Sequence, residues 1–282
     1  MPAGTVWKGM HAILKYPRTR HLAGSALQKG DEDDRLSMAS LKGRDLLFVW
    51  EEKADGANAG LSFAPAEGDM VLQSRGHSLN GGSRERQFDM YKAWAQTFES
   101  DFRDALGKRY VLYGEWMAAK HSAAYDNLPH LLLTYDLYDR ERNVFLSTKA
   151  RASVLDGLPI VPVHVVHEGW VADRDVPKLV RNSVYKTPNW RESLKTAATA
   201  AGVDPARALA ETDDTDLSEG VYLKVENERG ETLERGKFVR AAFVQHILDS
   251  GSHWASRPII ENRLAPGVDL FAHPGAIAKA AP

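Results

Sequence analysis

The chain has 282 residues, of which 43% are hydrophobic and 26% are charged, as in an ordinary globular protein of one large or two small domains. Its formal net charge of −2 argues against a protein that coats nucleic acid non-specifically, because that mode needs a large surplus of Lys and Arg. The absence of cysteine excludes disulfides, thiolate metal sites and cysteine nucleophiles.

The first half of the chain predicts short strands and one long helix. The apolar segment Leu46–Trp50 indicates a buried strand, and the turn-bounded segments Ala59–Phe63 and Met70–Arg75 indicate antiparallel neighbours. From Arg84 to Leu106 the apolar residues recur at three-or-four-residue spacing, with charges between them. This pattern predicts an amphipathic helix whose basic residues form a solvated face.

The second half predicts further strands and two helical stretches. We expect strands at Tyr110–Trp116, His130–Tyr138, Gly220–Glu226 and Thr232–Val239, and helical structure at Trp190–Ala210 and Ala241–Asp249. The expected fold class is α+β, with one domain over residues 1–250 and a C-terminal tail over residues 251–282. We expect this tail to form no further domain.

Neither a membrane nor a secretory pathway is indicated. No apolar run approaches the roughly 18 residues that a membrane span requires, and the N-terminal residues contain no continuous signal-peptide core. We therefore expect a cytoplasmic protein. His164 and His167 do not form a recognised ligand spacing with Glu168, so they are interpreted as core or surface histidines.

Lys53 lies directly after an apolar strand and before a glycine turn, in the segment Glu51–Asn58 (EEKADGAN). An unperturbed lysine amine has a pKa near 10.4, so a nucleophilic role requires burial or nearby positive charge that favours the neutral form. The simpler interpretation of this pattern is a solvated charge at the end of a strand. Alone, the pattern is too short to decide between the two.

Further short motifs follow Lys53 in a fixed order. They are Ser74-Arg75-Gly76, Tyr113-Gly114-Glu115-Trp116, Tyr135-Asp136-Leu137, Glu219-Gly220 with Lys224, and Arg235-Gly236-Lys237. With these motifs the chain resembles, from about Lys15 to Arg240, the covalent nucleotidyltransferase superfamily of RNA ligases, DNA ligases and mRNA capping enzymes. The asparagine at position 58, after the lysine motif, resembles the pattern of the nick-sealing RNA ligase branch more than that of the DNA ligases.

This resemblance implies a nucleotidyltransferase (ATP-grasp-like) domain, in which antiparallel sheets flanked by helices enclose an adenylate pocket. Lys53 would carry AMP, Glu52 would contribute to nucleotide binding, and Asn58 would fix the ribose. Arg75 and Glu115 would hold the ribose and position the lysine, while Tyr135 would stack on adenine. The simpler interpretations are a core aromatic for Tyr135 and a satisfied carboxylate for Glu115.

The same resemblance implies a metal site and a triphosphate site. Glu219 would bind Mg²⁺, with Mn²⁺ as an alternative, and Lys224 and Lys237 would neutralise the triphosphate as pyrophosphate departs. Arg235 departs from the lysine that relatives usually carry at the first position of the last motif. Arginine keeps the charge but presents a planar fork.

The implied function is an ATP-dependent RNA ligase that joins 5′-phosphate and 3′-hydroxyl RNA ends through lysine-AMP and adenylylated RNA. RNA is the expected partner, and a kinase-phosphatase of RNA repair is a further candidate partner. The alternatives are a DNA ligase, a capping-type nucleotidyltransferase, and a non-catalytic protein that only binds nucleotides.

Overall fold

The computed structural model describes residues 13–27, 31, 34–42, 45–66, 68–249 and 258–272. Within these ranges, twelve strands are connected by hydrogen bonds into one sheet. The strands are β1 (Arg20–Leu22), β2 (Arg35–Leu36), β3 (Leu47–Lys53), β4 (Ala57–Phe63), β5 (Met70–Ser74), β6 (Tyr110–Trp116), β7 (Leu132–Asp139), β8 (Val144–Leu146), β9 (Val161–Pro162), β10 (Val165–Glu168), β11 (Gly220–Glu226) and β12 (Glu231–Val239).

The sheet has two halves joined by one short strand. The order is β10-β3-β11-β12-β8-β7-β6-β4-β5, and all of these neighbours are antiparallel. Strand β8 pairs with β12 in one half and with β7 in the other, whereas β1 adds in parallel to β12 and β9 adds in parallel to β7. The α+β class is confirmed, with the expected antiparallel sheets joined into one.

Six α-helices flank the sheet within the described residues. They are α1 (Asp89–Thr97), α2 (Glu99–Leu106), α3 (Thr148–Leu155), α4 (Trp190–Ala200), α5 (Pro205–Ala210) and α6 (Ala241–Asp249). The predicted strands at the cores of β3 to β7, β11 and β12 are confirmed, as is the helix after β12. Ranges differ at their ends by a few residues, as expected where helices fray and strands begin.

One predicted helix is wrong as a continuous element. The helix expected from Arg84 to Leu106 consists of a 3-10 helix at Ser83–Phe88 followed by α1 and α2, with a break between Thr97 and Glu99. The Thr97 hydroxyl donates to the Ala93 carbonyl (3.0 Å), an alternative bond that weakens the regular main-chain ladder.

The helical structure expected over 190–210 is likewise divided. Gly202 adopts φ +69° after α4, and the Asp204 carboxylate then accepts a hydrogen bond from the Arg207 amide (2.9 Å) at the start of α5. A left-handed glycine ends a helix and a side-chain cap begins one. The apolar periodicity runs through this junction, so it did not reveal the break.

Each half of the sheet has its own hydrophobic core. The larger core packs α1 and α2, through residues such as Trp94 and Phe102, against the half that contains β4, β6 and β7. The second core contains Phe48 and Trp50 of β3 together with apolar residues of β11 and β12. Because side chains alternate along a strand, Glu51 and Lys53 project from the opposite face of β3.

The described part of the predicted tail packs against the domain. The Asn262 amide accepts from the Tyr125 N–H (2.9 Å) and donates to the Met117 carbonyl (2.8 Å), and Ile260 and Leu270 are buried. The predicted boundary at 250 lies outside the described residues. Among the described helices, none combines the length and apolar character that a bilayer crossing needs.

Gly220 opens β11 at a point of close backbone approach, and we expect Gly220→Ala to destabilise the fold. A Cβ at this position would lie 1.8 Å from the Phe238 carbonyl oxygen of β12. We expect the free energy of unfolding in urea to fall by about 3 kcal/mol or more, at the high end of overpacking costs. Gly82→Ala is the matched control, because no atom lies within 4 Å of its Cβ position. Equal losses in the two variants would contradict this explanation.

Candidate active site

A cavity of about 630 Å³ lies between the two halves of the sheet. Lys53, Glu219 and Lys237 line it from the half that contains β3, β11 and β12, and Glu115 and Tyr135 line it from the half that contains β6 and β7. An N-terminal segment, Lys15–His21, forms a further wall. Most of the residues expected from the motifs are therefore brought to one cavity from distant parts of the chain.

Lys53 and Glu219 are held together by the pairing of β3 with β11. Lys53 is the register partner of Gly220, the residue after Glu219. The Lys53 ammonium lies 2.7 Å from a Glu219 carboxylate oxygen, and only 23% of the lysine side chain is exposed. The sequence separation of 166 residues means that only the sheet makes this ion pair.

The turn after Lys53 is fixed by hydrogen bonds to the neighbouring strand and loop. The Asp55 carboxylate accepts from the amides of Ser122 (2.7 Å) and Ala123 (2.8 Å). The Gly56 amide donates to Glu115 (3.2 Å), and a Cβ at Gly56 would lie 2.7 Å from the Trp116 carbonyl. The Asp-Gly pair of the motif therefore anchors the lysine turn, which the sequence analysis did not anticipate.

The charges in the cavity keep Lys53 protonated in this state. Burial lowers the pKa of Lys53, but the carboxylates of Glu219 and Glu115 more than offset this and raise it above its usual value. Burial in turn raises the pKa of Glu219 to about 6 and that of Glu115 to about 7. Burial, one of the two effects that would favour the neutral amine, is thus outweighed by the carboxylates.

Tyr135 lines the cavity, whereas Asn58 is not among the lining residues and contacts Tyr135 instead. The Asn58 side-chain amide donates to the Tyr135 hydroxyl, and the Tyr135 ring is stacked against Tyr222 at an interplanar angle of 26°. Tyr222 lines the cavity and was missed by the sequence analysis. Strand alternation could have identified it, since it lies two residues from both Gly220 and Lys224.

Lys224 and Arg235 are not brought into the cavity. The Lys224 side chain is 1% exposed, and its ammonium binds Glu51 (2.9 Å), Asp136 (3.3 Å) and the Tyr135 carbonyl. The Arg235 guanidinium binds Asp136 (3.1 Å) and lies 3.8 Å from the Phe145 ring centroid. Both cations are held by Asp136, and neither is among the residues that line the cavity, where their phosphate role was expected.

Lys237 faces the cavity together with two residues that the sequence analysis did not assign. Its ammonium lies 3.3 Å from Asp31, which also contacts His21 (3.1 Å). Strand β1 places His21 beside Lys237 as its register partner. Burial lowers the pKa of Lys237, and the nearby Lys53 lowers it further. Lys237 can therefore bind an anion when its contact with Asp31 is broken.

Glu52 lies next to Lys53 but its side chain turns away from the lysine. Its carboxylate accepts hydrogen bonds from the Ser183 hydroxyl and the Val184 amide (3.3 Å). Arg75, by contrast, is exposed at the rim of the cavity. Only the main chain of Glu52 is therefore placed to contribute to the nucleotide contact that was expected of it.

The donor set suits a hydrated Mg²⁺ completed by a phosphate group. Among the described residues, no cluster of three or more His, Cys, Asp or Glu side chains could enclose an ion. Glu115 and Glu219 are nevertheless close enough that the charge of Glu219 raises the pKa of Glu115. Mg²⁺ commonly binds one or two carboxylates together with substrate phosphates and water, so these residues fit it.

Known proteins include a family whose sequences this chain matches and solved structures that have a similar fold. The sequence profile of the RNA ligase family matches residues 47–239. An RNA ligase mutant of Naegleria gruberi with ATP and Mn has a similar structure, with a TM-score of 0.51 and 13% identity over 80% of this chain and 61% of that chain. An apo mutant of the same ligase has a TM-score of 0.50 and 12% identity over 83% of this chain and 64% of that chain.

A third similar structure is an archaeal ATP-dependent RNA ligase, with a TM-score of 0.47 and 16% identity over 84% of this chain and 51% of that chain. The chain thus spans between half and two thirds of the length of these solved ligases. No curated protein matches the chain. At such low identity the likeness to the Naegleria structures concerns the fold.

The buried carboxyl group of Glu52 should make the free energy of unfolding depend on pH. Burial raises the pKa of Glu52 to about 7, so its contribution to stability is complete below about pH 4.5 and is lost as pH rises through 7. Between pH 5 and pH 8, ionisation of Glu52 should lower the free energy of unfolding of the wild type by up to about 3 kcal/mol. We expect Glu52→Gln to lack this decrease when unfolding in urea is measured at both pH values. The exposed Glu228→Gln is the control, and an unchanged pH profile in Glu52→Gln would contradict the assignment.

Proposed function

This chain belongs to the RNA ligase family, and on that premise we propose that it is an ATP-dependent RNA ligase that acts through lysine-AMP. The observation that carries the proposal is the position of Lys53, whose ammonium lies 2.7 Å from Glu219 in a cavity that Glu115, Tyr135 and Lys237 also line. A nucleophile, two carboxylates, an aromatic face and a phosphate-binding cation thus meet in one place.

In the first step the cavity binds ATP and orients it. Tyr135 offers its ring to adenine, and the hydrogen bond from Asn58 fixes the orientation of that ring. Asn58 and Arg75 would contact the ribose, as in the family that the motifs resemble. The Glu52 amide donates to the His164 carbonyl (2.8 Å), so the Glu52 carbonyl is the main-chain group beside Lys53 that would contact the base.

Lys53 must lose a proton before its amine can attack the α-phosphate. Glu219 is in direct contact with the ammonium, and a metal ion bound at this carboxylate would weaken the ion pair, so that the proton of Lys53 leaves to solvent. The N–P bond then forms as the bond to pyrophosphate breaks, leaving AMP on Lys53 as a phosphoramidate. Lys237 would neutralise the departing pyrophosphate.

Glu219, assisted by Glu115, would hold Mg²⁺ or Mn²⁺, which supplies charge neutralisation for the phosphates and favours the neutral amine of Lys53. Lys224 and Arg235 act differently from the direct phosphate contact that was first expected. They would position the pocket wall, because both bind Asp136 and Lys224 also binds the Tyr135 carbonyl.

The second and third steps transfer AMP and seal the strand. A 5′-phosphate of RNA displaces Lys53 from AMP, and the 3′-hydroxyl of a second end then attacks the activated phosphate with release of AMP. Each is an in-line phosphoryl transfer in the same cationic cavity. We further propose that the protein works in the cytoplasm, with RNA as substrate and an end-healing kinase-phosphatase as a partner.

The AMP adduct provides a direct test. After removal of bound nucleotide and incubation with ATP and Mg²⁺, we expect the intact mass of the protein to increase by one AMP, because Lys53 becomes adenylylated. Lys53→Ala should show no increase, and the exposed Lys149→Ala should behave as the wild type. A GMP adduct formed from GTP would instead indicate capping-type chemistry, and no adduct would indicate a nucleotide-binding protein.

The choice of polynucleotide is a separate prediction. We expect labelled RNA with a 5′-phosphate and a 3′-hydroxyl to be joined, and the same RNA without its 5′-phosphate to remain unjoined, because the phosphate is the acceptor of AMP. Gel analysis of nicked duplexes, broken loops and single strands, each in RNA and DNA, measures the preference. Joining of DNA nicks in preference to every RNA substrate would contradict the assignment.

A further inference from the structure

The N-terminal wall of the cavity is anchored on both sides of Lys15. Before it, the Leu14 carbonyl accepts hydrogen bonds from the Gln73 side-chain amide (2.8 Å) and the Tyr113 hydroxyl (2.7 Å). After it, the buried Tyr16 hydroxyl donates to Asp136 (2.5 Å) and bonds the Tyr222 hydroxyl (2.7 Å). Lys15 is therefore held at a fixed place, although it lies outside regular secondary structure.

Lys15 itself contributes nothing to these anchors. Its side chain is exposed and lines the cavity, and its Cε lies 3.8 Å from the position that a Cβ at Gly76 would occupy. Within the part of the chain that the structure describes, no carboxylate forms an ion pair with its ammonium. Four hydrogen bonds thus fix the segment around a cation that lines the cavity and that no described carboxylate pairs with.

Arg75 brings a second cation to the same rim. It immediately precedes Gly76, it is exposed, and no ion pair with a described carboxylate involves its guanidinium. Lys15 and Arg75 both line the cavity, so an anion bound at this rim would be attracted by two positive charges. Phosphate oxygens are the anions that Lys and Arg side chains bind most often on nucleic acids.

We propose that Lys15, beside Arg75, binds a backbone phosphate of the RNA strand at the mouth of the cavity. This inference rests on the proposed function and extends it to the substrate. Apart from Lys53, two lysines line the cavity, and their surroundings differ. Lys237 of β12 lies near Asp31, which also contacts His21 of β1, whereas Lys15 lies beside the end of β5. Lys237 would bind the phosphates of ATP, and Lys15 at the rim would bind the polynucleotide.

Binding of RNA tests this role without depending on catalysis. The probe is a fluorescent single-stranded RNA with a 5′-monophosphate, titrated with the whole protein at several salt concentrations. For Lys15→Ala we expect affinity to fall by about two- to fivefold. The slope of log affinity against log salt should become shallower by roughly 0.7, the value for one lost phosphate contact on a single strand.

Matched variants separate charge from structure. Lys15→Arg keeps the charge and should restore both affinity and slope, whereas Lys149→Ala, at an exposed site on α3, should resemble the wild type. We also expect Lys15→Ala to form the AMP adduct at the wild-type rate, and to seal RNA more slowly at low RNA concentration. Equal thermal unfolding of the variants would show that the fold is intact.

Two outcomes would overturn the inference. If Lys15→Ala lost adduct formation while its RNA affinity stayed unchanged, Lys15 would bind the triphosphate of ATP. If affinity and salt slope both stayed at the wild-type values, Lys15 would not contact phosphate. Failure of the proposed ligase function would look different, because the wild-type protein itself would form no adduct and seal no RNA.

Discussion

The register of three neighbouring strands determines the chemistry of this molecule. Strand β11 lies between β3 and β12, with Gly220 opposite Lys53 and Tyr222 opposite both Glu51 and Lys237. Because side chains alternate, a slip of one residue would send the lysine and its partners to the opposite face. The close approach of Gly220 to β12 resists such a slip, since only a residue without Cβ fits there.

This register forces like and unlike charges together in a partly buried cavity. Lys53 is stabilised as an ammonium by Glu219 and Glu115, yet burial opposes ionisation of both carboxylates and raises their pKa values to about 6 and 7. Charge pairs of this kind contribute little to stability, since desolvation offsets their attraction. They are better explained by function, because ligand charges change the balance that holds Lys53 protonated.

A second group of charges supports the cavity from behind. Asp136 is fully buried, and although burial alone would raise its pKa, Lys224 and Arg235 hold it below the usual value. The planar guanidinium of Arg235 also lies over the ring of Phe145. A compact ammonium would cover this ring less completely. Arg235 therefore supports the cavity structurally, and Lys237 is the cation of this motif that lines the cavity.

The sequence alone determined most strands, the α+β class and the membership of Lys53, Glu115 and Glu219 in one set, because short motifs and alternating apolar residues are local signals. Tertiary structure decided the rest. The helix breaks depend on caps and side-chain bonds that apolar periodicity does not record. The displacement of Lys224 from the cavity and the placement of Lys15 at its mouth depend on contacts between distant strands, which no local pattern of residues encodes.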